Sequence, residues 1–270
     1  MFRHSHRHLA IADKACQGLD PRRDRHSQRI TVAAARCYHS PRMLDIGANL
    51  ESVRQRVRDA ARRAGRAADE VTLLAVSKRI DRTRIEAALA AGARALGESR
   101  VQEAEDKIPD IEGDIEWHFI GPLQRNKAPM AARLFDVIHS VRREAMVTRL
   151  STAAGAADRT VRIYVQAEPS SVPPPDAIIG EIAALCRAVA DADNLQLEGL
   201  MAMAPYDPDP QASRPFFVSL RQLRDHVTAA HPDLAPLGLS MGMSGDFEVA
   251  IEEGATIVRV GTAIFGQRPT

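Results

Sequence analysis

The sequence is poor in cysteine and in aromatic residues. Its 270 residues include three cysteines, and aromatic side chains make up 4%. Cys16, Cys37 and Cys186 lie far apart and form no CxxC pair. Their number and spacing therefore indicate neither a disulfide framework nor a zinc site. This cysteine usage is typical of a protein that works in the reducing cytoplasm.

Long hydrophobic runs are absent as well. A charged residue interrupts every apolar stretch before it reaches the roughly 18 residues that a membrane-spanning helix needs. The remaining composition is ordinary, with 45% hydrophobic residues, 26% charged residues and a net charge of +1. A chain of this length can bury a full core without disulfides or metal ions. This excludes the small folds that depend on disulfides or bound metal for their stability.

Residues 1–42 differ from the rest of the chain in charge. They hold eight arginines and one lysine against three aspartates, a net charge of +6, whereas 27 basic and 32 acidic side chains leave the remaining residues at −5. The segment has no amphipathic period, so we predict a disordered basic extension or a mis-assigned start, followed by one domain over 43–270. Nucleic-acid binding through this tail ranks last among the functions, because the acidic domain repels a polyanion.

Short apolar segments alternate with helical patterns after an opening helix that the spacing of apolar residues predicts over 49–65. Eight strands are predicted, at 71–78, 95–98, 116–120, 137–141, 161–166, 197–203, 238–241 and 257–265. This pattern predicts an α/β fold, a single (β/α)8 TIM barrel. An open doubly wound sheet is the alternative. The residues after the first strand read RIDRT, without the GxGxxG of a dinucleotide site, which disfavours NAD binding.

Lys78 ends the first predicted strand. Active sites of such barrels lie where strands end, and alternation places Leu74, Val76 and Lys78 on one face of the strand. We therefore expect the Lys78 amine to enter the barrel mouth, where a desolvated lysine is suited to Schiff-base formation. A strand-end lysine that merely extends to water is the alternative interpretation.

A second group of polar and small residues lies near the end of the chain. Ser244 and Thr262 offer hydroxyl donors, and Gly245 and Gly261 allow a close approach to the backbone. In our count these residues follow strands seven and eight, where barrels often bind phosphate. Ordinary turn and capping chemistry would explain the same residues.

Arg259 points to a more specific ligand. Strand alternation places it inward together with Ile257 and Gly261, and an inward arginine needs an acceptor or an anion. A buried salt bridge is the alternative. An imine-forming lysine, a phosphate site and an inward arginine around one barrel mouth together describe a pyridoxal phosphate site.

Five sequence blocks also resemble the pyridoxal phosphate homeostasis protein family, over about residues 46–268. They are LAVSK (74–78), WHFIGPLQ (117–124), LMAM (200–203), LSMGMS (239–244) and VRVGTAIFG (258–266). The resemblance implies a fold-type III barrel, similar to the N-terminal domain of alanine racemase. It also implies that the barrel binds pyridoxal 5′-phosphate in vitamin B6 and amino-acid homeostasis. By the same resemblance Lys78 holds the cofactor covalently as a Schiff base, Arg259 faces the pyridine nitrogen, and Ser244, Gly261 and Thr262 hold the phosphate.

An arginine beside the pyridine nitrogen keeps that nitrogen unprotonated and makes the ring a weak electron sink. Five residues follow Phe265, so we expect no second domain with an opposing base. The expected function is a cytoplasmic, monomeric carrier without turnover, with apo forms of pyridoxal phosphate-dependent enzymes as recipients and no nucleic-acid or membrane partner. A racemase-like enzyme and a Schiff-base aldolase that uses Lys78 are the alternatives.

Three further sites carry expectations. His118 lies inside the third predicted strand, where a hydrogen-bonded core histidine is favoured over a general base. Ser99 stands where members of the family commonly have asparagine, which would remove a hydrogen bond in the pocket. The proline-rich stretch 166–176 departs from the family pattern, so we expect a stiff loop with altered contacts.

Overall fold

The computed structural model describes residues 45–169 and 172–267. The predictions for residues 1–42 lie outside this part of the chain. The described residues contain eight strands and nine α-helices. The strands are β1 Thr72–Val76, β2 Ala95–Glu98, β3 Glu116–Phe119, β4 Val137–Val141, β5 Val161–Gln166, β6 Leu195–Met201, β7 Gly238–Met243 and β8 Ile257–Val260. The helices are α1 Ile46–Arg63, α2 Arg82–Ala90, α3 Val101–Lys107, α4 Ala128–Leu134, α5 Glu144–Ala156, α6 Asp176–Ala190, α7 Arg214–Ala230, α8 Phe247–Glu252 and α9 Thr262–Phe265.

The strands form one closed parallel barrel in chain order. Each strand pairs with the next, and β8 closes the barrel by pairing with β1, so that Leu74 lies beside Arg259 and Thr72 beside Ile257. Helices connect successive strands, as parallel pairing requires. The predicted TIM barrel is confirmed, and the open doubly wound sheet was the wrong alternative.

Alternation along each strand separates two groups of buried side chains. In β1 and β8, Ala75 and Val258 belong to the large cluster that includes the helices, whereas Leu74 and Ile257 belong to a small cluster inside the barrel. Helix α1 contributes to the large cluster with residues at helical spacing, all of them buried: Leu50, Val53, Val57, Ala60 and Ala61. This helix begins at Ile46, three residues before the predicted start, because the Asp45 side chain accepts a hydrogen bond from the Ala48 amide.

Seven strand boundaries differ from the predictions, four of them by two residues or fewer at the start of β1 and the ends of β3, β6 and β7. Strand β1 ends at Val76, so Lys78 lies in the following turn, where Arg79 adopts a φ of +59°. Strand β6 begins two residues earlier than predicted, directly after Asn194, which also has a positive φ. Strand β8 ends at Val260, and the predicted strand residues 262–265 are helix α9. The carbonyl of Gly261 accepts hydrogen bonds from the amides of Ile264 and Phe265, which ends the strand there.

Within the described residues, none of the helices combines the length and the apolar character needed to cross a bilayer.

Candidate functional site

A cavity of about 290 Å³ opens at the carboxyl ends of β1, β7 and β8. The five residues predicted from the sequence all line it: Lys78, Ser244, Arg259, Gly261 and Thr262. Val76, Ile120, Met203 and Met243 contribute apolar wall. The barrel therefore brings together groups from chain positions almost 190 residues apart, because β8 closes onto β1.

Hydrogen bonds of buried and partly buried side chains hold the turn that carries Lys78 in place. The preceding residue, Ser77, is fully buried, and its hydroxyl donates to the Glu98 carboxylate over 2.7 Å. The Lys107 ammonium donates to the same carboxylate oxygen over 2.8 Å and to the Ser77 carbonyl over 3.0 Å. Glu103 accepts from the Arg79 amide and from Lys107. These bonds fix the backbone on both sides of Lys78.

Glu98 is a residue that the sequence analysis missed. It is completely buried at the end of β2, and burial raises the pKa of its carboxyl group although Lys107 and Ser77 act in the opposite direction. Its second oxygen has no hydrogen-bond partner among the described residues. The signal was available, since Glu98 is a charged residue at the end of an apolar strand, as Lys78 is.

The turns after β7 and β8 lie side by side. The Gly261 amide donates to the Ser244 hydroxyl over 3.3 Å. Asp246 closes the first turn by accepting from the Met243 amide over 2.6 Å. A Cβ atom built on Gly245 would meet nothing within 4 Å, so the space over this peptide is open to a ligand. The predicted phosphate residues therefore share one wall of the cavity.

Arg259 extends into the barrel and is 4% exposed. Its Nη1 donates to the carbonyl and to the hydroxyl of Ser240, both over 2.7 Å, and its Nη2 donates to the Ala202 carbonyl over 2.8 Å. Burial lowers the pKa of Arg259 to about 10, so the group remains protonated at neutral pH. No ion pair of Arg259 is found in the described part of the chain, which makes the salt-bridge alternative wrong.

A line of hydrogen bonds continues from Ser240 across the barrel. The Ser240 hydroxyl lies 2.9 Å from His139 Nδ1, and His139 Nε2 lies 2.8 Å from His118 Nδ1. His118 Nε2 lies 2.5 Å from a carboxylate oxygen of Glu116, whose other oxygen accepts from Arg162 over 2.5 Å. The prediction of a hydrogen-bonded core histidine at 118 is confirmed.

His139 and Ser240 were not predicted from the sequence. A local signal existed for His139, because alternation in VIHSV places it on the same inner face as Val137. Cys186 is buried in α6, and burial raises the pKa of its thiol to about 12.

A second cavity of about 410 Å³ adjoins the first and shares Ile120 and Met203 with it. Arg125, Arg142 and Arg143 surround this second cavity, together with Ser140 and Gln166. Gln166, the first residue of the departing loop, thus lies beside the neighbouring cavity. Ser99 lines neither of the two, and the lost hydrogen bond expected there stays a prediction.

Comparison with known proteins identifies relatives over most of the chain. The family described as alanine racemase, N-terminal domain, matches residues 48–269. The chain is 40% identical to the pyridoxal phosphate homeostasis protein of Escherichia coli K12 and 38% identical to that of Vibrio cholerae. In each case the match covers 84% of this chain and 98% of the relative.

Solved structures agree with this result. PipY of Synechococcus elongatus, solved with pyridoxal phosphate bound, is 34% identical, has a TM-score of 0.70 and is matched over 82% of this chain and 100% of its own. An alanine racemase of Clostridium difficile shares the fold with a TM-score of 0.63 at 10% identity, and 57% of its chain is covered. The chain therefore belongs to the pyridoxal phosphate homeostasis protein family, and its barrel is an alanine racemase N-terminal domain.

Proposed function

We propose that this protein binds pyridoxal 5′-phosphate in the cavity at β1, β7 and β8 and serves in the homeostasis of that cofactor. One observation carries the proposal: a lysine, a buried arginine and two hydroxyl-bearing turns surround a single cavity of about 290 Å³. The relative PipY, 34% identical to this chain, has been solved with pyridoxal phosphate bound. The residues present therefore fit the cofactor.

Lys78 is the residue proposed to hold the cofactor covalently. Lys78 would supply the amine and the cofactor the aldehyde, and their condensation to a Schiff base would release one water. Water reverses the same step, so the link permits both storage and release. The Ser77, Glu98 and Lys107 contacts hold the Lys78 turn in place for this reaction.

The opposite wall would orient the ring and the phosphate. Ser244 and Thr262 offer hydroxyls and Gly261 offers close backbone approach, which suits a phosphate group. Arg259 is a donor that cannot accept a proton, so a ring nitrogen that it contacts stays unprotonated. The cofactor supplies an electron sink to enzymes that protonate this nitrogen, and Arg259 weakens that capacity. This argument favours a carrier without turnover.

A second candidate function is an enzyme that acts on an amino acid or another small carboxylate. The adjoining cavity of about 410 Å³ favours it, because Arg125, Arg142 and Arg143 line a space that shares Ile120 and Met203 with the lysine cavity. Release of a racemised or cleaved amino acid by the cofactor-loaded protein would support this candidate. The Schiff-base aldolase alternative would instead require a Lys78 adduct with a phosphorylated sugar or a keto acid in cofactor-free protein.

The substitution Lys78→Ala tests the binding proposal. We expect the visible absorbance of protein titrated with pyridoxal phosphate to be lost in this variant, and the fold to remain, because Lys78 lies in a partly exposed turn. Lys127→Ala, which removes a lysine outside this cavity, is the matched control and should bind as the wild type does. Borohydride reduction and peptide mapping should place the cofactor on Lys78. A reduced adduct spread over other lysines would overturn the proposal.

The proposed setting is the cytoplasm, where a monomer would pass the cofactor to apo forms of pyridoxal phosphate-dependent enzymes. Lack of paired cysteines in the sequence supports a reducing compartment. Mixing the loaded protein with an apo-aminotransferase should restore its activity. Restoration no faster than the spontaneous release of cofactor into buffer would argue against direct transfer.

A further inference from the structure

The centre of the barrel is polar, although barrel interiors are usually filled with branched aliphatic side chains. Glu116, His118, His139, Ser240 and Arg259 form one uninterrupted line of hydrogen bonds across four strands. His118, His139, Ser240 and Arg259 are all buried, none more than 4% exposed. Arg259 reaches the cofactor cavity, and Glu116 and His118 line a cavity at the opposite end of the barrel.

The two ends of the line have fixed roles. An arginine can only donate, so the Ser240 hydroxyl oxygen accepts from Arg259. The hydrogen bond from His118, together with Arg162, lowers the pKa of the Glu116 carboxyl to about 2, so the carboxylate accepts a hydrogen from His118 Nε2. Burial above all lowers the pKa of His139 well below its usual value, so this ring carries a single hydrogen.

These constraints leave one arrangement when His118 is neutral. Its only hydrogen is on Nε2 and points at Glu116, so His118 Nδ1 accepts from His139 Nε2. His139 Nδ1 then accepts the hydrogen of the Ser240 hydroxyl. Every donor and acceptor in the line is satisfied.

One added proton produces a different arrangement. When His118 is protonated, both of its nitrogens donate, so His139 Nε2 becomes the acceptor and the single hydrogen of His139 moves to Nδ1. His139 then donates to the Ser240 oxygen, which already accepts from Arg259. The Ser240 hydrogen is left without an acceptor among the described residues, and a second positive charge lies inside the barrel.

We propose that Glu116, His118, His139 and Ser240 form a proton-operated relay, in which uptake of one proton at His118 reverses the hydrogen bonds of His139 and Ser240 and loosens Arg259 at the cofactor cavity. The relay couples acidity at the amino end of the barrel to the cofactor site at the carboxyl end. Its last step, the effect on bound cofactor, rests on the proposed function. The relay itself does not.

The titratable and charged groups around the relay come from β5, β6 and β8 and from the segment before β1. The cavity of about 420 Å³ at the amino end of the barrel is also lined by Glu70, Arg162, Tyr164 and Glu198. Glu116 and Arg162 form an ion pair, and Tyr164 stacks on His139 with ring centroids 4.7 Å apart. Arg259 faces the relay from β8. Because Glu116 and His118 line this cavity, the relay has a route for a proton from solvent.

The first test measures the histidine tautomers in cofactor-free wild-type protein. Long-range ¹H–¹⁵N correlation spectra of histidine-labelled protein should show the His139 hydrogen on Nε2 while His118 is neutral and on Nδ1 after His118 is protonated. We expect both changes to follow one titration curve, because the two rings share a hydrogen bond. A His139 tautomer that stays constant through the titration of His118 would overturn the relay.

The second test uses protein loaded with pyridoxal phosphate. We expect the visible spectrum of the bound cofactor to shift over the same pH range, and the shift to be lost in His118→Gln and in Ser240→Ala. His226→Gln, at an exposed histidine of α7, is the matched control and should keep the shift. An unchanged shift in Ser240→Ala would refute coupling to the cofactor. If no variant and no wild-type protein takes up cofactor, the proposed function fails, whereas the tautomer measurement still decides the relay.

Discussion

The two faces of the barrel wall carry different side chains. Outside, between strands and helices, the core is largely apolar and continuous, and it contains the five fully buried phenylalanines of the described residues: Phe119, Phe135, Phe217, Phe247 and Phe265. Inside, six buried hydrophobic residues form a small separate cluster, and the polar relay and Arg259 occupy the centre. The outer layer has the composition of a folding core, whereas the inner layer resembles a binding site.

Residues that stabilise the fold and residues suited to ligand binding therefore lie on different faces of the barrel wall. Burial of apolar area is the main favourable contribution to folding, and it is concentrated outside the barrel. Polar groups inside the barrel gain little net energy from their hydrogen bonds and lose much if one partner is removed. Substitutions on the two sides should therefore affect different measurements.

The largest loss of stability is expected from Phe217→Ala. Phe217 is a fully buried residue of α7 in the outer core, and truncation of such a ring costs about 3–5 kcal/mol through lost burial and a remaining cavity. Urea unfolding followed by far-UV circular dichroism measures the change. Cofactor uptake by the folded fraction should stay at the wild-type level.

Its neighbour supplies the matched control. Phe216 is only partly buried and lies edge-on to Phe217, with ring centroids 6.1 Å apart. Phe216→Ala should therefore cost clearly less than Phe217→Ala. Equal losses, or a loss of cofactor affinity in the folded Phe217 variant, would contradict the separation of the two layers.

Arg259→Met should affect cofactor binding strongly and stability less, the reverse of Phe217→Ala. Burial lowers the pKa of Arg259 to about 10, which means that keeping its charge inside the barrel opposes folding, while three hydrogen bonds offset that cost. We expect the free energy of unfolding to change less than in Phe217→Ala, and the spectrum and affinity of bound pyridoxal phosphate to change strongly.

Calorimetric unfolding and cofactor titration of the same samples distinguish the two effects. Arg62→Met, at an arginine whose side chain is 77% exposed, should change neither. An Arg259 variant that unfolds as readily as Phe217→Ala but retains the wild-type spectrum would make Arg259 a structural residue.

The outer layer was readable from the sequence because its signals are local. Helical spacing in α1 and the alternation of strands and helices need only a few neighbouring residues, and they predicted the barrel. Lys78 and Arg259 were identified by strand ends and strand alternation, and both line the cavity. The predicted end of β8 was wrong, because hydrogen bonds to the Gly261 carbonyl start helix α9 at that point. The apolar pattern of the sequence does not indicate these bonds.

The hydrogen-bond partners inside the barrel could not be predicted from the sequence in the same way. His139 meets Ser240 across 101 residues of sequence, and this contact depends on the stagger of β4 and β7, which are not neighbours in the barrel. On the outer face of the wall, Glu98 could be noticed in the sequence as a charged residue at a strand end, but its partner Lys107 is brought to it only by the packing of α3. Polar partners inside a barrel are set by register across several strands, which a single sequence does not specify.

The smallest expected effect is an acid-dependent one from Glu116→Gln. The His118 hydrogen bond and Arg162 lower the pKa of Glu116 to about 2, below its ordinary value in the unfolded chain. The ionised carboxylate therefore stabilises the fold above the unfolded pKa, and this contribution is lost as pH falls toward the folded pKa. Because the Glu116 side chain is 36% exposed, solvent screening keeps the contribution small.

Urea unfolding should show the Glu116→Gln variant less stable than wild type at neutral pH, with the difference shrinking toward roughly pH 3, between the two pKa values. Glu112→Gln, at an exposed carboxylate, is the control and should show no such convergence. A difference that stays constant on acidification would mean that Glu116 supports the barrel by packing and that its charge contributes nothing to the inner layer.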